Sequence, residues 1–313
     1  MLGRTAEGLF WMFRYLERSE NTARLIETGL RISLTRSSDA SDEWASVLET
    51  AGAKEAFLAH NDEFTAAKVI DFLLRSPQNP SSILSVVENA RSNARQVRTA
   101  LTREVWEATN DAWHHLNLVA ATRPTDSELP EILAMIRQDS AQVRGALHGT
   151  MLRNDIFEFA RLGTFIERAD NTARILDVKY YVLLPSPLHI GSSLDNAQWE
   201  TVLRALSAQR AFHWQCGGEI SASSIAHFLI LDGRMPRSLA FCLNHISWNL
   251  QGLSHAYGET VPAHELAAEL LKKVVAQSID EVFSYGLHEF LRECIGDINQ
   301  LAKQIEIDYR FVE

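Results

Sequence analysis

Met12, Leu16, Ser19, Ala23, Ile26 and Leu30 recur in alternating steps of four and three, which at about 100° per residue places them on one seam of an α-helix. In the middle of the chain Leu162, Ile166, Ala169, Ala173, Leu176 and Tyr180 form the same seam. A small residue at the centre of each stripe lets a second helix approach closely. Glu17, Glu20, Asn21 and Arg24 lie on the face opposite the first seam, and Glu167, Asp170, Asn171 and Arg174 on the face opposite the second. Arg18 and Arg168 sit on the flanks.

The same periodicity predicts helices throughout the first half: about Ala6 to Ser33, Asp42 to His60, Asp62 to Arg75, a long stretch opening at Pro80, and Glu131 to Leu152. Pro80 and Pro236 fit a first helical turn, where a missing N–H costs nothing. Breakers mark the joints: Ser76-Pro77-Gln78-Asn79, Arg123-Pro124-Thr125-Asp126, and Pro185-Ser186-Pro187 through Gly191-Ser192-Ser193. No run alternates with period two over the length of a strand, so the chain is expected to be all-α.

The two polar faces belong to one phrase used twice, Glu17-Arg18-Ser19-Glu20-Asn21-Thr22-Ala23-Arg24 and Glu167-Arg168-Ala169-Asp170-Asn171-Thr172-Ala173-Arg174. Cores tolerate swaps of similar volume, but a fold has no generic need for the same polar residues in the same order. Further matches follow in register. Trp44, Val47, Leu48, Ala56 and Phe57 return as Trp199, Val202, Leu203, Ala211 and Phe212. Phe72, Leu73, Pro80, Ser82 and Asn93 return as Phe228, Leu229, Pro236, Ser238 and Asn249, and Glu131, Leu133, Asp139 and Gln142 as Glu289, Leu291, Asp297 and Gln300. The period is too long for a solenoid. It predicts a multi-helix bundle built by tandem duplication, with halves 1–153 and 154–313 related by a pseudo-twofold axis and packed as one globular unit.

Composition narrows the function classes. An apolar share of 46% with 22% charged residues fits an ordinary folded chain rather than a disordered one. No apolar stretch is long enough to span a membrane and no signal-peptide order opens the chain, so a cytoplasmic place without membrane contact is expected. Cys216, Cys242 and Cys294 lack Cys-x-x-Cys spacing, which disfavours a zinc site and favours buried free thiols. The net charge of −10 repels a phosphate backbone, so no nucleic acid is expected as partner. One local exception is Arg91, Arg95 and Arg98, whose i, i+4, i+7 spacing gives a basic ridge able to grip a phosphate or carboxylate. The alternative, a solvated or internally paired face near Glu88 and Glu104, is preferred.

Three readings of the repeated polar face compete. A surface ladder would use Glu20 to Arg24, Glu27 to Arg31 and Asp170 to Arg174 as i, i+4 pairs, but Asn-Thr in mid-helix is a poor choice for one. A buried polar layer would set Glu17 against Arg174 and Glu167 against Arg24, with Asn and Thr satisfying the remaining hydrogen bonds. A ligand or catalytic site is the third. Its sharpest form, a metal held by Glu17, Glu20, Glu167 and Asp170, lacks the Glu-x-x-His step of dinuclear bundles, and the arginines nearly cancel the charge. The polar layer ranks first, a small-molecule or peptide site second, and no metal or other cofactor is expected. Phosphate-binding, dinucleotide, zincin and hydrolase motifs are absent, and no nucleophile can be paired with a base from sequence.

With these residues in view, the chain resembles the bacterial alpha-E domain family. The resemblance is carried by Met1-Leu2-Gly3-Arg4-Thr5-Ala6-Glu7, Phe10-Trp11, Arg14-Tyr15-Leu16-Glu17-Arg18, the two phrases, Asp177-Val178-Lys179-Tyr180, Glu104-Val105-Trp106-Glu107 and Pro236-Arg237-Ser238. Phe13 stands where that family often has glycine before Arg-Tyr, while Gly163 is kept in the second copy. The resemblance implies a helical protein encoded beside a circularly permuted ATP-grasp protein and often near a transglutaminase-like peptidase. Such company points to a system that makes or breaks amide bonds in peptides. It carries over no catalytic residues. The expected role is therefore a non-catalytic partner of the ligase. The alternative is an enzyme of peptide or amide metabolism whose polar site the two motif helices form.

Overall fold

The computed structural model describes residues 1–35, 40–181, 193–217 and 220–311. Among them every regular element is helical, and no strand occurs. The chain divides into two compact units, Met1–Thr164 with Tyr309–Glu313, and Phe165–Asp308.

The first unit holds α1 (Gly3–Thr35), α2 (Ala40–Thr50), α3 (Lys54–Leu58), α4 (Ala66–Leu74), α5 (Ile83–Gln96), α6 (Arg103–Ala120), α7 (Leu129–Thr150) and the start of α8 (Asp155–Tyr181). Helix α1 packs against α2, α4, α5 and α7. Its seam residues Met12 and Leu16, joined by Phe13, meet Ala90 and Ala94 of α5, Val105 and Ala108 of α6, and Val143 and Leu147 of α7 in one core. Small residues on α5 and α6 bring the helices close. Gly163 serves the same end on α8: a Cβ there would lie 2.1 Å from the Phe10 carbonyl oxygen, so only glycine fits the approach to α1.

Two predicted helices are interrupted. The run from Asp42 to His60 divides into α2 and α3, because Gly52 takes a left-handed φ of 63° and turns the chain. The stretch after Pro80 divides into α5, a 3-10 turn at Arg98–Ala100, and α6. Extended Thr102 ends the run and caps α6, its Oγ1 accepting from Val105 N. Pro80 and Pro236 do not occupy first helical turns. Each lies two residues before a serine N-cap, Ser82 for α5 and Ser238 for α12 (Leu239–Tyr257). The joints at Ser76–Asn79 and Arg123–Asp126 are loops, and the break at 185–192 lies outside the described residues.

The second unit contains the rest of α8, then α9 (Ser193–Ala205), α10 (Gln209–Cys216), α11 (Ala222–Ile230), α12, α13 (Pro262–Val275), α14 (Ile279–Tyr285) and α15 (Leu287–Asp308). Some of its local packing matches that of the first unit. Phe57 meets Phe72 edge-on at 5.2 Å between α3 and α4, and Phe212 meets Phe228 edge-on at 5.5 Å between α10 and α11. Trp44 and Trp199 are both fully buried. Ser82 Oγ accepts from Ser85 N, and Ser238 Oγ accepts from Phe241 N.

Candidate functional site

The first phrase lies inside the fold. Glu17 is 1% exposed, Glu20 0% and Asn21 3%, and Thr22 is also buried, while Arg18 and Arg24 are half-buried. The seam and its opposite face are both covered, because Phe10 and Leu25 extend the apolar surface around α1. A helix apolar on several sides is an interior helix.

Burial of carboxylates demands partners. Arg24 donates to Glu20 Oε1 from Nη2 at 2.6 Å and from Nε at 3.2 Å. Arg144 of α7 donates to Glu20 Oε2, and its Nη1 lies 3.7 Å from Glu17 Oε2. Two carboxylates and two guanidiniums thus balance within the unit. Below them the small seam residue Ser19 sits 3.4 Å from Ser140 of α7, each hydroxyl donating to the Leu16 carbonyl. Close approach of α7 to α1 is what delivers Arg144. The site has both oxygens of Glu20 committed to guanidiniums, which leaves that carboxylate neither a free base nor a metal ligand. Among the described residues no group of three His, Cys, Asp or Glu side chains converges as a metal set.

The second phrase is held differently. Glu167 and Thr172 are buried and Arg168 nearly so, whereas Asp170, Asn171 and Arg174 are half-buried. Arg174 donates to Asp170 from Nε at 2.7 Å and Nη2 at 3.2 Å. Arg168 lies over the Phe165 ring and donates to the Pro236 carbonyl at 3.3 Å, and Thr172 donates to the Arg237 carbonyl at 2.7 Å. These bonds fix the loop before α12, whose cap Ser238 also donates to the Asp232 carbonyl at 2.6 Å. One turn beyond the phrase, Asp177 pairs with His288 of α15.

All three predicted i, i+4 pairs form, but only Glu27 with Arg31 has the solvent exposure of a surface ladder. Arg144 and His288 were not legible as site residues, since nothing near them in sequence marks them. The basic ridge is also altered. Helix α5 stops at Gln96, so Arg98 belongs to the 3-10 turn. Arg91 stacks on Trp113 at 4.1 Å and donates to Asn110 Oδ1 at 2.8 Å, Arg98 stacks on Trp106 at 5.1 Å, and Arg95 is exposed. Among the described residues no carboxylate pairs with any of the three, and the exposure of Arg95 and Arg98 is that of the solvated form of the expected face rather than the internally paired one.

Of the cysteines, Cys242 and Cys294 are buried free thiols, and burial pushes Cys294 up to about 12. Cys216 departs from expectation in being only half-buried. A cleft of about 220 Å³ near it, walled by the exposed Trp214, Phe228 and Met235 with the Asp232–Arg234 pair at its edge, had no sequence signal. No helix among the described residues is long and apolar enough to cross a membrane.

Residues 1–309 match the Alpha-E family, described as a predicted alpha-helical domain with a conserved ER motif. Uncharacterized proteins of Mycobacterium bovis and of two strains of Mycobacterium tuberculosis are 24% identical over 323 residues, covering 96% of this chain and 36% of each relative. The chain therefore spans about a third of the length of the curated relatives it matches. No solved structure matches it. An all-helical chain that carries Glu17-Arg18 and Glu167-Arg168 at the heart of two long helices, and that matches the model nearly end to end, belongs to the Alpha-E family.

Proposed function

We propose that this protein is a non-catalytic helical partner of an ATP-grasp amide ligase system. The observation that carries the reading is the internal consumption of the first phrase: both oxygens of Glu20 accept from guanidiniums of the same unit. A carboxylate so held supports folding rather than acid–base chemistry, which needs a group within reach of substrate and a proton to exchange. The length of the relatives supports a partner role, because there the matched region is one part of a chain nearly three times as long. The ATP-grasp protein, with a transglutaminase-like peptidase nearby, is the partner that the family resemblance implies. A cytoplasmic place belongs to the same reading.

Tandem duplication is part of this proposal. It is supported by the paired Phe57–Phe72 and Phe212–Phe228 contacts and by the Ser82 and Ser238 caps. A further correspondence is an ion pair: His115 of α6 meets Asp139 of α7, and Lys273 of α13 meets Asp297 of α15, the partners 24 residues apart in both. Duplication followed by divergence of one polypeptide suits a scaffold, whose halves need only keep their packing.

Size-exclusion chromatography of the chain mixed with the ATP-grasp protein, with and without ATP, tests the partner role. A shared peak is expected. Separate elution under both conditions, together with loss of pathway activity in a folded Glu17→Gln variant, would favour the enzyme alternative instead.

A further inference from the structure

We propose that Arg91, Arg95 and Arg98 form a docking ridge for an acidic segment of a partner polypeptide. Two rows of side chains build it. On α5 and the turn after it the arginines are spaced i, i+4, i+7, and on α6 Trp106, Asn110 and Trp113 have the same spacing. The rows run antiparallel, since Arg91 meets Trp113 and Asn110 while Arg98 meets Trp106. An indole face holds a guanidinium flat through its π-cloud and leaves the N–H edge directed outward.

Charge sets the ligand class. In a chain of net charge −10, many arginines are spent on carboxylates, including Arg24, Arg31, Arg75, Arg103, Arg144 and Arg174. Among the described residues the three ridge arginines pair with none. Trp113 and Trp106 orient Arg91 and Arg98 without neutralising them, and Arg95 between them is exposed, which leaves a row of cationic guanidiniums. Shape sets the occupant. From Arg91 to Arg98 the row spans roughly 10 Å at a helical rise, and a linear row of that length with Arg95 and Arg98 exposed matches successive carboxylates of a peptide rather than one enclosed phosphate. The second unit has Ser247, Gln251 and Ser254 at the corresponding positions, so the ridge belongs to the first unit alone.

The ridge does not depend on which partner the protein serves. Its test is fluorescence anisotropy of the full chain with a labelled hexaglutamate peptide, with hexaglutamine and inorganic tripolyphosphate as competitors. Binding that salt weakens, that hexaglutamine does not compete for, and that the Arg95→Gln/Arg98→Gln double variant weakens by about tenfold or more is the expected result. Both residues are exposed, so circular dichroism of the variant should be unchanged. No binding, equal binding by the variant, or preference for tripolyphosphate over the peptide would overturn the proposal.

Discussion

Arg144 on α7 donates to the carboxylate of Glu20 on α1, a group with no exposed surface, while Arg24 of the same helix holds the other oxygen. The contact joins residues 124 apart in sequence. It makes the helix–helix interface polar at one level and apolar at the next, where Met12 and Leu16 meet Val143 and Leu147. A mispaired register of α7 against α1 would leave the carboxylate buried without its second cation, and that penalty favours one register over others.

Glycine placement gives a prediction with two signs. A Cβ at Gly163 would press within 2.1 Å of a backbone carbonyl, whereas one at Gly145, an exposed position on α7, would meet nothing within 4 Å. Gly163→Ala should destabilise the protein by about 1–3 kcal/mol or more through overpacking. Gly145→Ala should stabilise it by about 0.4–1 kcal/mol, since alanine restricts the unfolded chain and favours helix. Thermal melts of the two variants check both signs.

Asp139 gives a prediction in pH. Burial raises its carboxyl above the ordinary 3.8, with Asp111 adding to the rise and His115 opposing it. A carboxyl whose native pKa is raised binds its proton more tightly folded than unfolded. Its contribution to stability is therefore complete below about 3.8 and is lost as pH rises through the native value. Urea unfolding of wild type and Asp139→Asn across that range should show the wild type losing ground to the variant as pH rises; the reverse slope would refute the assignment. His115 is half exposed while Asp139 is buried, so His115→Lys sets a permanent cation beside the carboxylate and should raise the urea midpoint near neutral pH.

The helical class and the three i, i+4 pairs could be read from spacing alone, since periodicity is a local property of the chain. Burial could not. The seam through Met12, Leu16 and Ile26 identifies one apolar face, but Phe10 and Leu25 lie off that seam and are buried as well, as are Glu17 and Glu20. Arg144 was invisible for a different reason: its neighbours Gln142, Val143 and Gly145 have no unusual pattern, and only the tertiary approach of Ser140 to Ser19 brings it to Glu20. The end of the ridge is built differently from the expected helix, because Val97 leaves helical geometry and Arg98 lies in a 3-10 turn, a break set by the capping threonine five residues on.

Paired denaturation midpoints test most directly that the first phrase serves the fold. Arg144→Met removes a cation from a carboxylate that is 1% exposed, while Arg174→Met removes one from Asp170, which is 14% exposed. Guanidinium chloride unfolding should show a loss of about 3 kcal/mol or more for Arg144→Met, the scale of a broken buried pair, and less than about 1 kcal/mol for Arg174→Met. Equal, small losses in both variants would contradict the account.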